Sequence, residues 1–202
     1  MFMITVFIGL IALEGLISAY LLRFVKNPLY VSSIGALMAG IVALPFTYKY
    51  FNIPSIYTTV VWSTFSLVIS IILNTVAERL GEEDELKHII RQSSIWVVIL
   101  TLLIIAPLSE EIIFRGILLV GLVEIMPLSV AIIVDGLIFS LVHIGAYWEN
   151  STAYKLIHLI GIFILGSMLA YTFSVYHSLT LNAIAHAVAN IPGLIFVYKE
   201  KE

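Results

Sequence analysis

Seven apolar runs account for most of this chain: Phe2–Leu22, Tyr30–Phe51, Ile56–Ala77, Ile95–Val123, Leu128–Tyr147, Tyr154–Tyr176 and Leu179–Tyr198. Most are close to the about 20 residues a helix needs to cross a bilayer. Inside lipid the backbone must satisfy its own hydrogen bonds, so only helices and closed barrels can span. Runs this long and continuously apolar read as helices. The expected fold is therefore all-α, a polytopic membrane bundle. Composition agrees: 61% of residues are hydrophobic and 11% charged, where a soluble domain carries about 25% charged residues. The first run has no basic stretch before it and no small-residue cleavage site after it, so it reads as a span and not a signal peptide. There are no cysteines, which excludes disulfides, thiolate catalysis and cysteine metal ligands. A net charge of −3 argues against a nucleic-acid partner.

The fourth run is the longest, and Pro107 falls inside it. Proline removes a backbone hydrogen bond and clashes with the preceding turn, so a kink or a break is expected there. A kink gives seven transmembrane helices and a break gives eight. Basic residues favour seven. With the N-terminus outside, Arg23, Lys26, Arg79, Lys87, Arg91, Lys155, Lys199 and Lys201 all lie inside, and Lys49 alone lies outside. A break at Pro107 would split them 5 to 4, so the positive-inside rule selects the kink and a cytoplasmic C-terminus. The sizeable polar segment, Glu78 to Ser94 with Glu82-Glu83-Asp84-Glu85, reads as a solvated loop carrying a short amphipathic helix. Residues 1–202 read as one integral-membrane domain, with the motif-bearing core at about 94–198.

Charges inside the fourth run are costly. Each is worth roughly 2.5–3.5 kcal/mol at a bilayer centre on the insertion scale, and this run holds Glu110, Glu111 and Arg115. Glu111 and Arg115 are i,i+4 and can pair. Glu110 points about 100° away from Glu111 and is free to face another partner. Pro127 marks a tight turn between two apolar helices. Glu110 lies 17 positions before it and His143 lies 16 after it, so antiparallel packing brings them to one depth. Phe139 is i,i+4 from His143 and can pack on its ring; Asp135 shares that face as a packing or supporting group. The last run carries Asn182, His186 and Asn190 at four-residue spacing, one polar stripe on an apolar helix. A carboxylate with a histidine can activate water, and two donors one turn apart suit a developing oxyanion. Together they suffice for hydrolysis of an amide. Glu110, His143 and His186 are equally legitimate zinc ligands, so zinc remains the alternative to a cofactor-free site.

The successive motifs Glu-Glu-x-x-x-Arg (Glu110, Glu111, Arg115), Phe-x-x-x-His (Phe139, His143) and His-x-x-x-Asn (His186, Asn190) resemble those of the CPBP family. That family holds the type II CAAX prenyl proteases, the bacteriocin-processing and immunity proteins, and the Abi proteins. The resemblance covers roughly Pro107 to Asn190. It implies an intramembrane endopeptidase in which Glu110 and His143 activate water and His186 and Asn190 form the oxyanion hole. Glu111, Arg115 and Phe139 then support the site. It also implies membrane lipid and a peptide or lipidated protein as partners. Tyr176-His177 stands where many relatives carry a Thr-Gly-like turn.

Other protease chemistries lack their residues. His-Glu-x-x-His is absent, and Asp135 is the one aspartate in an apolar run, so neither a zincin helix nor an aspartyl dyad is available. Ser167 follows Gly166 without a Gly-x-Ser-x-Gly setting. A proton-coupled transporter would also use buried Glu, Arg and His, but the polar residues crowd the second half with no matching set in the first. A non-catalytic immunity or scaffold protein on the same fold is the third reading. His158 and Glu14, each isolated in its helix, read as helix-contact residues; Gly161 and Gly166 read as points of close helix packing. The oligomeric state is not written in these residues.

Overall fold

The computed structural model describes residues 1–80 and 85–199. Helices are α1 (Phe2–Leu21), α2 (Pro28–Thr47, extended by a 3₁₀ turn Tyr48–Tyr50), α3 (Ile56–Glu78), α4 (Glu85–Gln92), α5 (Ile95–Val123), α6 (Leu128–Val142), α7 (Thr152–Tyr176) and α8 (Leu179–Lys199). No strand occurs among the described residues. Six of these helices are long and apolar enough to cross a membrane, and α6 is a shorter apolar helix. The chain is therefore a polytopic helical membrane protein. The short helix expected in the polar segment is α4; Glu82, Glu83 and Asp84 lie outside the described residues.

Local sequence sets the helix starts. Asn27 accepts the Leu29 N–H at 2.9 Å, with Pro28 in the first turn. Ser55 and Ser151 do the same for α3 and α7, accepting the N–H of Thr58 and Tyr154. Such caps satisfy donors the first turn leaves orphaned. The end of α7 is unusual: His177 is left-handed, with φ 48°, and its N–H bonds to Phe173 O at 2.8 Å. Glycine adopts that conformation without steric cost and histidine does not, at about 1–2 kcal/mol. The Thr-Gly-like turn of the resembling proteins thus meets a conformational demand that His177 meets at a cost.

α5 is the axis of the bundle. Every residue from Glu111 to Leu119 is buried, as expected of a helix enclosed on all sides. Phe7 and Leu10 of α1, Ala39 and Ala43 of α2, Phe139 of α6 and Phe173 of α7 pack into one apolar cluster with its Ile112–Leu119 stretch. Small residues let α6 and α7 cross closely: a Cβ on Gly136 would stand 2.8 Å from the Ser167 backbone nitrogen. Gly166 lies against Gly136 and Phe139, and Gly161 against Leu73 of α3, the close packing expected of both.

Pro107 does not break α5. The helix runs unbroken from Ile95 to Val123, but it widens into π-helical turns over Thr101–Ile105 and Ile112–Leu119. A π turn absorbs a position whose N–H is missing, where an α turn would meet the proline ring. The apolar run expected to be helical to Tyr147 stops earlier, at Val142. There the His143 ring Nδ1 takes the Phe139 carbonyl at 2.7 Å. The His143 backbone N–H turns instead to Ser140 O at 3.1 Å, and the chain tightens into a 3₁₀ turn, Ile144–Tyr147. Hydropathy does not register this side-chain competition for a backbone carbonyl.

The two ends of the bundle are tied separately. At one end the N-terminal amine pairs with Glu124 at 2.8 Å, and Ser178 donates to Asn52 O. At the other, Asn27 donates to Ser93, Lys87 pairs with Glu78 and Arg91 donates to Val197 O. The two described chain ends therefore lie at opposite ends of the bundle.

Candidate active site

Three helices meet at one half-buried acid. From the middle of α5, Glu110 extends Oε2 to 3.7 Å from His143 Nε2 and 3.8 Å from His186 Nε2. That oxygen is buried and accepts no hydrogen bond among the described residues. The depth argument across the Pro127 turn thus holds: positions 17 before and 16 after it stand face to face.

Each ring is fixed by its other nitrogen. Phe139 O can only accept, so His143 Nδ1 carries the hydrogen of that 2.7 Å bond. His186 Nδ1 bonds to Glu111 Oε1 at 3.0 Å, again with a carboxylate as acceptor. In the neutral rings both Nε2 atoms therefore present lone pairs towards Glu110. Three acceptors converge on one point, and only a group that brings hydrogens or positive charge can stand between them. His143 sits at the end of α6, and α6 is only 15 residues long. At 1.5 Å per residue it spans about 22 Å, short of a bilayer's roughly 30 Å. Glu110 and His143 side chains keep 23% and 30% exposure while His186 keeps 6%, so the opening is on the Glu110–His143 side.

Beneath this layer lies a fully buried charge cluster. Glu111 Oε2 is 3.2 Å from Arg115 Nε, and Asp135 Oδ2 is 3.6 Å from the same nitrogen. Arg115 Nη2 donates to Gly166 O at 2.8 Å, and its guanidinium lies 4.5 Å above the Phe139 ring centre. Phe139 also meets His143 at 4.9 Å and His186 at 5.7 Å between ring centres. It therefore packs against both imidazoles, not His143 alone. Asn182 Nδ2 donates to Glu111 Oε2 at 3.1 Å and to Leu169 O, while Thr172 donates to Asn182 Oδ1.

Sequence spacing gave Glu110 and Glu111 separate partners. Both pairs are present, Glu111 with Arg115 and Glu110 with His143, and in addition the two acids share His186, one on each ring nitrogen. Asn182, read only as part of a polar stripe, holds the second Glu111 oxygen; its place one turn before His186 was the available signal. Asn190, expected to face a carbonyl of substrate, spends one amide hydrogen on Leu102 O at 2.8 Å and retains the other. Glu14 of α1 lies within electrostatic range of Glu110, and His158 packs among aromatic rings. His158 stacks on Tyr147 with ring centres 4.4 Å apart, and Glu14 Cγ lies 3.2 Å from where a Cβ on Gly35 would stand. As a donor set, Glu110 Oε2 and the two Nε2 atoms have the chemistry of a zinc site. Among the described residues, however, no group of three or more His, Cys, Asp or Glu is arranged to hold a metal ion.

No curated protein matches this chain, and no solved structure does. The comparison with protein-family models matches residues 92–192, half of the chain, to the type II CAAX prenyl endopeptidase Rce1-like family. The matched stretch contains Glu110, His143, His186 and Asn190, together with the turn at Pro127 that sets the common depth of Glu110 and His143. By that match the chain belongs to the Rce1-like family of type II CAAX prenyl endopeptidases.

Proposed function

We propose that this protein is an intramembrane endopeptidase that hydrolyses a peptide bond with water activated by Glu110 and His143, without a metal. The observation that carries the reading is the convergence of Glu110 Oε2 with two imidazole Nε2 lone pairs. A water there donates one hydrogen to Glu110 and the other to His143, and its oxygen is left directed at a substrate carbonyl. The proton taken by Glu110 is then available to the leaving amine. The tetrahedral oxygen receives the free amide hydrogen of Asn190. It receives a second hydrogen from His186 when that ring carries both protons, a form the buried Glu111 carboxylate compensates. Phe139 and Arg115 hold the rings and the acid in register. The substrate class is a prenylated CAAX peptide, from the family, and residues 1–202 act as one membrane domain. The deciding measurement is cleavage of a farnesylated CAAX peptide and its unprenylated counterpart by purified protein in proteoliposomes. No cleavage of either, with proton flux across the vesicle, would mean a transporter; neither activity would mean a scaffold.

One observation favours a second reading. Each Nδ1 donates to a carbonyl or carboxylate, the outer-shell pattern of metal-bound histidines. Zinc would supply electrophilic assistance itself and leave Asn190 without a part in the reaction. We therefore expect activity to survive strong chelators, with no stoichiometric metal in the purified enzyme. Loss on chelation, restored by zinc with about one bound equivalent per chain, would assign the three residues as ligands.

The C-terminus is proposed to be cytoplasmic, from the distribution of Lys and Arg and the separation of the two chain ends. Reporter fusions should place the two termini on opposite sides, the C-terminus inside. A common side would require an even number of crossings.

A further inference from the structure

The π-helical turn before the acids has a chemical cause and a partner. In a π turn each carbonyl accepts the N–H five residues on. Ala106 N–H bonds to Thr101 O in that register. The next carbonyl, Leu102 O, therefore falls to position 107, and proline has no N–H. A carbonyl without a donor in an apolar interior is costly. Here it is satisfied from 88 residues away: Asn190 Nδ2 donates to Leu102 O at 2.8 Å. An asparagine amide has two hydrogens. With one held by a backbone carbonyl of α5, the plane and direction of the second are set by the same helix that carries Glu110, eight residues on. We infer that Pro107, by orphaning the Leu102 carbonyl, is a positioning residue that aims the Asn190 amide into the reaction site.

The arrangement joins the water-activating and oxyanion-binding halves of the site through one hydrogen bond. A residue with an N–H at position 107 would compete for Leu102 O and release Asn190 to rotate. The proline therefore holds the site in order by withholding a bond, and restoring that bond should stabilise the protein while impairing it.

The inference rests on Asn190 acting as an oxyanion donor, and the variants separate the two claims. Pro107→Ala supplies the missing N–H. The melting temperature of the purified protein is expected to rise by about 2–4 °C, the effect of one added hydrogen bond in a chain of this size. With the farnesylated CAAX peptide, kcat is expected to fall about 10²-fold with KM within about twofold, as for a misplaced transition-state group. Asn190→Ala should lower the melting temperature in the parent, where Leu102 O loses its donor, and leave it unchanged in the Pro107→Ala background. A proline with a purely structural part would move the melting temperature and spare kcat. Full kcat in Pro107→Ala, with activity lost in Asn190→Ala, overturns the inference alone. Full kcat in Asn190→Ala overturns it together with the oxyanion assignment. Should Pro107→Ala fail to fold, the melting temperature of Asn190→Ala decides: no change overturns the inference.

Discussion

Glu110→Gln is expected to be inactive and at least as stable as the parent. The loss follows from chemistry: an amide cannot take a proton from water, and a positioned base contributes about 10²–10⁴ in rate. The stability follows from geometry. Glu110 Oε2 makes no hydrogen bond that the substitution would break. It faces two Nε2 atoms at 3.7 and 3.8 Å, both lone-pair acceptors because each ring has spent its hydrogen at Nδ1. A glutamine amide placed there is a donor among acceptors and relieves their mutual repulsion. Shifts of a few tenths of an ångström would suffice to bring it into hydrogen-bonding range. Kinetics on the farnesylated peptide beside thermal unfolding of the same preparation makes the check. A variant that keeps a tenth or more of parental kcat, or that unfolds well below the parent, would remove Glu110 from the role of base.

Much of this site could be read before any coordinates. The meeting of Glu110 and His143 is a matter of counting along two helices from Pro127, and the stripe Asn182, His186, Asn190 is a matter of helical period. Such arguments supply depth and face. They do not say which ring nitrogen a partner takes, and the chemistry turns on that choice at both histidines. Nor do they foresee register. The expected disturbance at Pro107 is present, but as a wide turn in a helix that continues, because Asn190 satisfies the carbonyl the proline abandons. The partner lies far along the chain, beyond any local pattern. The early stop of α6 has the same character. Hydropathy extends the run to Tyr147, while His143 takes the Phe139 carbonyl and ends the helix. In each case a polar side chain occupies a backbone carbonyl that lacks its helical N–H donor, at the positions where the site is built.

Glu111→Gln is expected to lose stability first and activity with it. The parent carboxylate is fully buried and accepts from His186 Nδ1 and Asn182 Nδ2 while facing Arg115 at 3.2 Å. Breaking a buried pair from one side costs roughly 3–5 kcal/mol, or about 6–20 °C in melting temperature for a chain of this size. Asp135, at 3.6 Å, is then the remaining carboxylate beside Arg115. A glutamine cannot satisfy this surround in either orientation. With its carbonyl towards His186, its NH₂ confronts the Asn182 amide and the Arg115 Nε, donor against donor. With its NH₂ towards His186, Nδ1 must become the acceptor, and the ring hydrogen moves to Nε2, facing Glu110. Either orientation removes the anionic acceptor at His186 Nδ1, so the doubly protonated ring that donates to the oxyanion is no longer compensated, and protein that does fold should have depressed kcat as well. An unchanged melting temperature in Glu111→Gln would show that the buried pair contributes nothing. Full kcat in its folded fraction would show that His186 does not need the Glu111 acceptor.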